Sequence, residues 1–273
     1  MRYLNILPLL FLLSCTGEKQ QTADEILGGN WFVLYPKDEL QTRKQEEVYA
    51  ATQDSLTGLK CLKLIRFSGN GVFNQLDSVA ITGNWGVKDG EVLNVFDGGR
   101  GFDLFRARIN RYADGVLQLT EMVETRGEKV KLVWHLKKIE KGFATALFEK
   151  EKNQWRYKPV IEESETGIRS RLVQMLEYYS VYFRLISEES SYFMPGRVLL
   201  PFTFYQHAIG LKPFDKESKF VSLFYSVQQA ELAHYVLKGA ISKARFSFQD
   251  KESYSAEYVK MLQELADIIK RQP

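Results

Sequence analysis

Between Gly29 and Ile139 one local pattern recurs: a short run with apolar residues at every second position, then a tight turn built on glycine. Period two is the signature of a strand with one buried face, and a series of such strands must pair with one another. The clearest run sets Ile81, Gly83, Trp85 and Val87 on one face and Thr82, Asn84 and Gly86 on the other. Lys88-Asp89-Gly90-Glu91 follows it, and Asp-Gly suits the positive φ values of a type I′ hairpin turn. The tripeptide Gly29-Asn30-Trp31 opens the first run and returns at Gly83-Asn84-Trp85.

The runs Trp31–Tyr35, Leu62–Phe67, Val72–Leu76, Ile81–Val87, Glu91–Phe96, Phe102–Arg111, Val116–Glu124 and Val130–Lys138 make about eight strands. Near-regular spacing predicts a barrel or a sandwich, and hairpins in sequence favour an up-and-down barrel, which leaves no open edge. Residues 36–59 are polar and too long for a hairpin loop, so a short helix or a lid is expected there. By parity the candidate lumen residues are Trp31, Val33, Phe67, Phe73, Trp85, Val87, Phe105 and Trp134. A packed interior and a ligand-lined cavity share this pattern, since a barrel of this size is either filled by side chains or holds one small molecule. Glu121 falls at the parity of Leu117, Leu119 and Val123 and is expected to point inward, as a paired carboxylate or as a ligand or acid–base group.

The Gly-x-Trp motif before the first strand, its return at Gly83-Asn84-Trp85 and the Asp-Gly hairpins make residues 25–140 resemble bacterial lipocalin-like domains, many of them in predicted lipoproteins of Bacteroidetes-type bacteria. The resemblance implies that Trp31 closes the base of the barrel against a basic residue of the last strand. Lys137 or Lys138 stands at that place.

The N-terminus carries a second resemblance. Arg2 precedes ten residues, Leu4 to Leu13, that are too few to span a bilayer, which takes about 20. They fit a secretory h-region. Leu12-Leu13-Ser14-Cys15 resembles the lipobox of bacterial lipoproteins. The resemblance implies cleavage before Cys15, lipidation of Cys15, and anchoring in a membrane of the cell envelope by several acyl chains. Thr16, where Asp commonly signals inner-membrane retention, points to the outer membrane. The expected organisation is a signal peptide over 1–14, a polar tether over 15–26, a barrel domain over 27–160 and a helical domain over 161–273. The fold class is thus α+β: a lipocalin-like antiparallel up-and-down β-barrel followed by an all-α helical region.

In the second half the period changes to about 3.6. Ile168, Leu172, Met175, Leu176, Tyr179, Phe183 and Ile186 make one helical stripe. A short helix is expected over Pro201–Ile209, a long one capped by Asp215 and carrying Phe220, Phe224, Leu237 and Ile241, and a last one from Ser253. Between barrel and helices, Phe143–Glu149 and Trp155–Val160 could pair as a hairpin, or Ala144–Lys152 could form a helix.

The chain offers no visible catalytic constellation. Its three histidines, His135, His207 and His234, lack ligand-spaced partners, and no phosphate-cradling glycine loop or nucleophile elbow is present. Net charge is +3, and +2 once Arg2 departs with the leader, which gives no electrostatic case for nucleic acid. With Cys15 assigned to the anchor, Cys61 is left without an intrachain disulfide partner, so packing must supply stability. The expectation is a non-enzymatic envelope lipoprotein, without cofactor or metal, whose barrel binds a small apolar or amphipathic ligand. The alternative is a filled barrel that docks an envelope protein partner.

Overall fold

The computed structural model describes residues 22–34, 42–54, 63–76, 81–89, 92–99, 101–139, 142–189, 198–205, 208–245 and 254–271. The leader with Cys15, as well as Tyr35, Cys61 and His207, lies outside the described residues.

A short helix, α1 (Ala23–Leu27), stands where the sequence suggested only tether. Thr22 and Glu25 form a capping box: the Thr22 hydroxyl accepts from the Glu25 N–H, and the Glu25 carboxylate accepts from the Thr22 N–H at 2.9 Å. The chain then turns at Gly29, whose φ of +128° is glycine's territory, into strand β1 (Gly29–Val33).

A 12-residue helix, α2 (Arg43–Asp54), interrupts the meander before β2 (Leu64–Phe67). Thr42 and Gln45 start it with a second reciprocal cap. Strands β3 (Val72–Leu76), β4 (Ile81–Lys88), β5 (Val92–Phe96), β6 (Asp103–Ala113), β7 (Val116–Thr125) and β8 (Glu128–Ile139) complete the sequence. Each pairs antiparallel with its chain neighbour, and β8 pairs with β1 (Trp31 opposite Lys138), so the eight strands close into an up-and-down barrel. The hairpin chemistry is as expected: Asp114-Gly115 has both φ values positive, at 53° and 72°. Arg126-Gly127 does the same at 50° and 77°, with an arginine in a conformation that favours glycine or asparagine.

The connector is neither hairpin nor α-helix. Two 3-10 turns, Phe143–Phe148 and Glu151–Arg156, are held by Asn153. Its buried amide donates to the Leu147 and Glu149 carbonyls, both at 2.8 Å, and this local competition for backbone partners favours the tighter turn. Arg66, on the outer face of β2, joins barrel to connector. It donates to Asn30 Oδ1 at 2.8 Å and to the Phe148 carbonyl at 3.3 Å, and lies over the Phe148 ring. Burial lowers its pKa from the ordinary arginine value.

Helix α3 (Glu165–Glu189) has 25 residues, about 37 Å, and buries all seven residues of the stripe read from the sequence. Helices α4 (Val227–Lys243) and α5 (Tyr254–Lys270) pack on it and on each other. Two expectations are corrected here. Pro201–Ile209 is not a helix: β9 (Phe202–Tyr205) pairs antiparallel with β10 (Ala208–Leu211), as the β-favouring run Phe-Thr-Phe-Tyr permits. Asp215 does not cap the long helix. It accepts from the Glu217 N–H in a local turn, and Ser226 caps α4 through the Gln229 N–H. Buried residues of barrel, connector and helices form one continuous apolar cluster.

Candidate functional site

Antiparallel partners project to the same face, so the register fixes which side chains share the lumen. Trp31 lies opposite Ile65, Ile65 opposite Gln75, Phe67 opposite Phe73, Trp85 opposite Val95, Val95 opposite Phe105, and Leu119 opposite Trp134. With Val33 opposite Leu136 and Val87 opposite Leu93, the candidates Trp31, Val33, Phe67, Phe73, Trp85, Val87, Phe105 and Trp134 all share the inward face. Seven are buried and Val87 is half-buried.

The two Gly-Asn-Trp tripeptides turn out to be related parts of one end of the barrel. The Trp31 indole N–H donates to the Leu27 carbonyl at 2.7 Å, which ties α1 beneath the first strand. The Trp85 indole donates to the Ser68 carbonyl at 3.0 Å. Lys138 sets its ammonium over the rings of both Trp31 and Tyr112, at 5.6 and 5.8 Å, and so takes the place of the basic partner. From Trp85 an aromatic chain runs through Phe67 (5.4 Å between ring centres), Phe73 (5.5 Å) and Phe105 (5.8 Å).

The other end is different. Helix α2 lies beside the start of β8: Gln45 donates to the Lys131 carbonyl at 3.2 Å and Lys44 pairs with Glu128. Only Val48 and Tyr49 of α2 are buried, among its side chains that the structure describes. Tyr49 sets its ring 5.5 Å from that of Trp134, tilted by 40°. Trp134 in turn donates its indole N–H to Glu121 at 3.0 Å. A cleft of about 550 Å³ lies between α2 and the β7–β8 turn, lined by Arg43, Lys44, Glu47 and Arg126 among others.

Three polar residues stand in this otherwise apolar interior. Glu121 is 5% exposed, Lys63 4% and Gln75 3%. The inward aim of Glu121 follows its parity. Lys63 and Gln75 were not singled out in the sequence, although Lys63 shares the parity of Ile65 and Phe67, and Gln75 that of Phe73. That parity marks both as inward, against the ordinary preference of lysine and glutamine for solvent. Tyr49 was missed because nothing local says where a loop helix will land. Among the described residues, no hydrogen-bond partner meets the Gln75 Nε2.

The remaining candidates do not assemble. His135 faces outward beside Gln118 (3.1 Å), and His234 contacts the Lys212 carbonyl at 2.8 Å. No cluster of three metal-ligating side chains occurs among the described residues. The tyrosine-rich part of α3 is packed: Tyr178 and Tyr179 lie against Trp155, Tyr182 stacks on Tyr178, and the Tyr179 hydroxyl accepts from the Leu199 N–H at 2.9 Å. Among the described residues no helix is long and apolar enough to cross a membrane.

The fold thus defines a closed eight-stranded antiparallel barrel, capped at one end by α1 and covered at the other by α2, with a helical layer attached through the connector. No family model, curated protein or solved structure matches the chain.

Proposed function

We propose that this chain is a lipid-anchored lipoprotein of the bacterial cell envelope, placed at the outer membrane, whose lipocalin-like barrel binds one small apolar or amphipathic molecule without catalysing a reaction. The polar interior carries the reading. A barrel that served only as a packed core would gain stability from apolar side chains at Lys63, Gln75 and Glu121, because desolvating polar groups is costly. Such groups orient a bound molecule in an otherwise apolar site. The leader supports the anchor: Cys15 follows Leu12-Leu13-Ser14 and precedes Thr16.

Native mass spectrometry of the protein from its own envelope tests the ligand. A small-molecule adduct that is lost on denaturation is expected, and a clean apo mass counts against it. Cys15→Ser is expected to abolish lipid labelling, and unchanged labelling refutes the anchor.

A second reading, a filled barrel serving an envelope assembly, draws on a separate observation. Tyr157, Val160 and Ile161 are exposed together on the connector, an apolar segment that a partner protein could cover. Crosslinking that captures one envelope protein through this segment would favour it.

A further inference from the structure

The mouth of the barrel combines a stacking surface, a displaceable cover and an unpaired donor. The first is Trp134, 0% exposed, on the inward face of β8 just above the end of β1, where the Leu34 N–H donates to the His135 carbonyl at 2.8 Å. The second is Tyr49. Its ring occupies the position that a flat apolar group would take against that indole. The third is Gln75, on the inward face of β3. Lys63 is its diagonal neighbour across the β2–β3 pair, since Ile65 lies opposite Gln75, and the Val33 N–H donates to the Lys63 carbonyl at 2.9 Å. The buried Nε2 of Gln75, without a partner among the described residues, is the feature that points to a ligand, because a native interior rarely leaves an amide donor unsatisfied.

Helix α2 is suited to withdraw. It has 12 residues, a length at which an isolated helix is marginal in water. Its described ties to the barrel include the Gln45–Lys131 hydrogen bond and the exposed Lys44–Glu128 pair. An element whose described side chains are mostly exposed opens at a low free energy.

We propose that the barrel mouth binds a molecule with a flat apolar body and a hydrogen-bond-accepting oxygen on its head. The body stacks on Trp134 in place of Tyr49, and the oxygen accepts from Gln75 Nε2. Tyr49 is then an internal competitor that α2 delivers and removes. The inference rests on the ligand-carrying reading above and adds the ligand's chemistry and the means of entry. A carboxylate and a neutral carbonyl share the required oxygen, and the choice between them is left to the probes.

The test is equilibrium dialysis of the full chain in amphipol, against an empty-amphipol blank, with three naphthalene probes: 1-naphthoate, 1-naphthamide and 1-naphthylmethylammonium. The first two carry an accepting oxygen and the third only donors. One or both of the first two are expected to bind at least tenfold more tightly than the third. Tyr49→Ala is expected to tighten binding roughly five- to tenfold by removing the competitor. Lys44→Glu, which replaces an exposed tie with a like-charge contact to Glu128, is expected to act in the same direction without touching the lumen. Gln75→Leu is expected to erase the preference for the oxygen-bearing probes while Tm stays level or rises. Unchanged affinity in both α2 variants, or an unchanged preference in Gln75→Leu, overturns the proposal. A native adduct that 1-naphthoate cannot displace overturns this proposal alone and leaves the carrier reading standing. The absence of any adduct, together with no probe binding to wild type or variants, removes both.

Discussion

At the scale of single residues, the repeated Gly-Asn-Trp shows how one motif meets two demands. Gly29 is needed for its positive φ. Gly83 is needed for space: a Cβ there would run into the Phe96 carbonyl oxygen and lie 3.1 Å from Leu104 Cδ1, at the bulge between β5 and β6. Gly83→Ala is therefore expected to cost about 2–3 kcal/mol in denaturant unfolding. Gly86→Ala, three residues on with nothing within 4 Å of its Cβ, is the control and is expected to stay within about 0.5 kcal/mol. Equal effects at both sites would refute the steric account. Arg171 is a second residue on which much depends. It forms a two-pronged pair with Glu163, both bonds 2.8 Å, and donates to the Trp155 and Tyr157 carbonyls at 3.0 and 3.2 Å. Arg171→Ala leaves a largely buried carboxylate and two carbonyls short of donors, and is expected to cost about 3 kcal/mol. Arg171→Lys should recover less than half of that, because an ammonium cannot reproduce the planar fork.

Individual elements owe their form to turn chemistry and capping. The β7–β8 turn holds Arg126 at a φ of 50°, where a β-carbon is crowded. Arg126→Asn keeps a side chain and suits the turn, so it is expected to stabilise the protein by about 0.5–1 kcal/mol, read as a rise in denaturation midpoint with an unchanged m-value. A fall in the midpoint would show that the arginine makes a contact worth more than the strain. Helix α5 reaches α3 at its far end through Lys270, whose ammonium pairs with Glu177 at 2.7 Å, and that hydrogen bond raises the lysine pKa. A raised cationic pKa contributes stability that is fully present below the unfolded-state value and disappears as pH climbs through the folded-state value. The pair thus acts unchanged at neutral pH and weakens only in strong alkali. Both side chains are about half exposed, so the effect is small.

In the whole molecule, barrel, connector and helical layer share one apolar cluster, and Arg66 stitches the barrel wall to the connector. Thermal unfolding followed by near-ultraviolet and far-ultraviolet circular dichroism is expected to show coincident transitions. Arg66→Ala is expected to lower both together, and a split into two transitions would refute a common core. Much of this architecture is legible in the chain. Strand parity placed all eight lumen candidates on one face, and Asp-Gly and Gly-rich turns located the hairpins, because both depend on the period-two geometry of a strand and on which residues tolerate positive φ. The α3 stripe was legible for the same kind of reason, a period of 3.6. Elements governed by competition were not. The Phe202–Leu211 hairpin, the Asn153-held 3-10 turns and the shift of the α4 cap from Asp215 to Ser226 each depend on which partner a backbone group finds. The candidate site divides the same way. Local sequence determined which side chains enter the barrel, since alternation is a property of the strand itself. Only the tertiary structure decided that Tyr49 meets Trp134 and that Gln75 Nε2 finds no partner among the described residues, because those facts depend on where a loop helix lands on a closed barrel and on contacts between residues far apart in the chain.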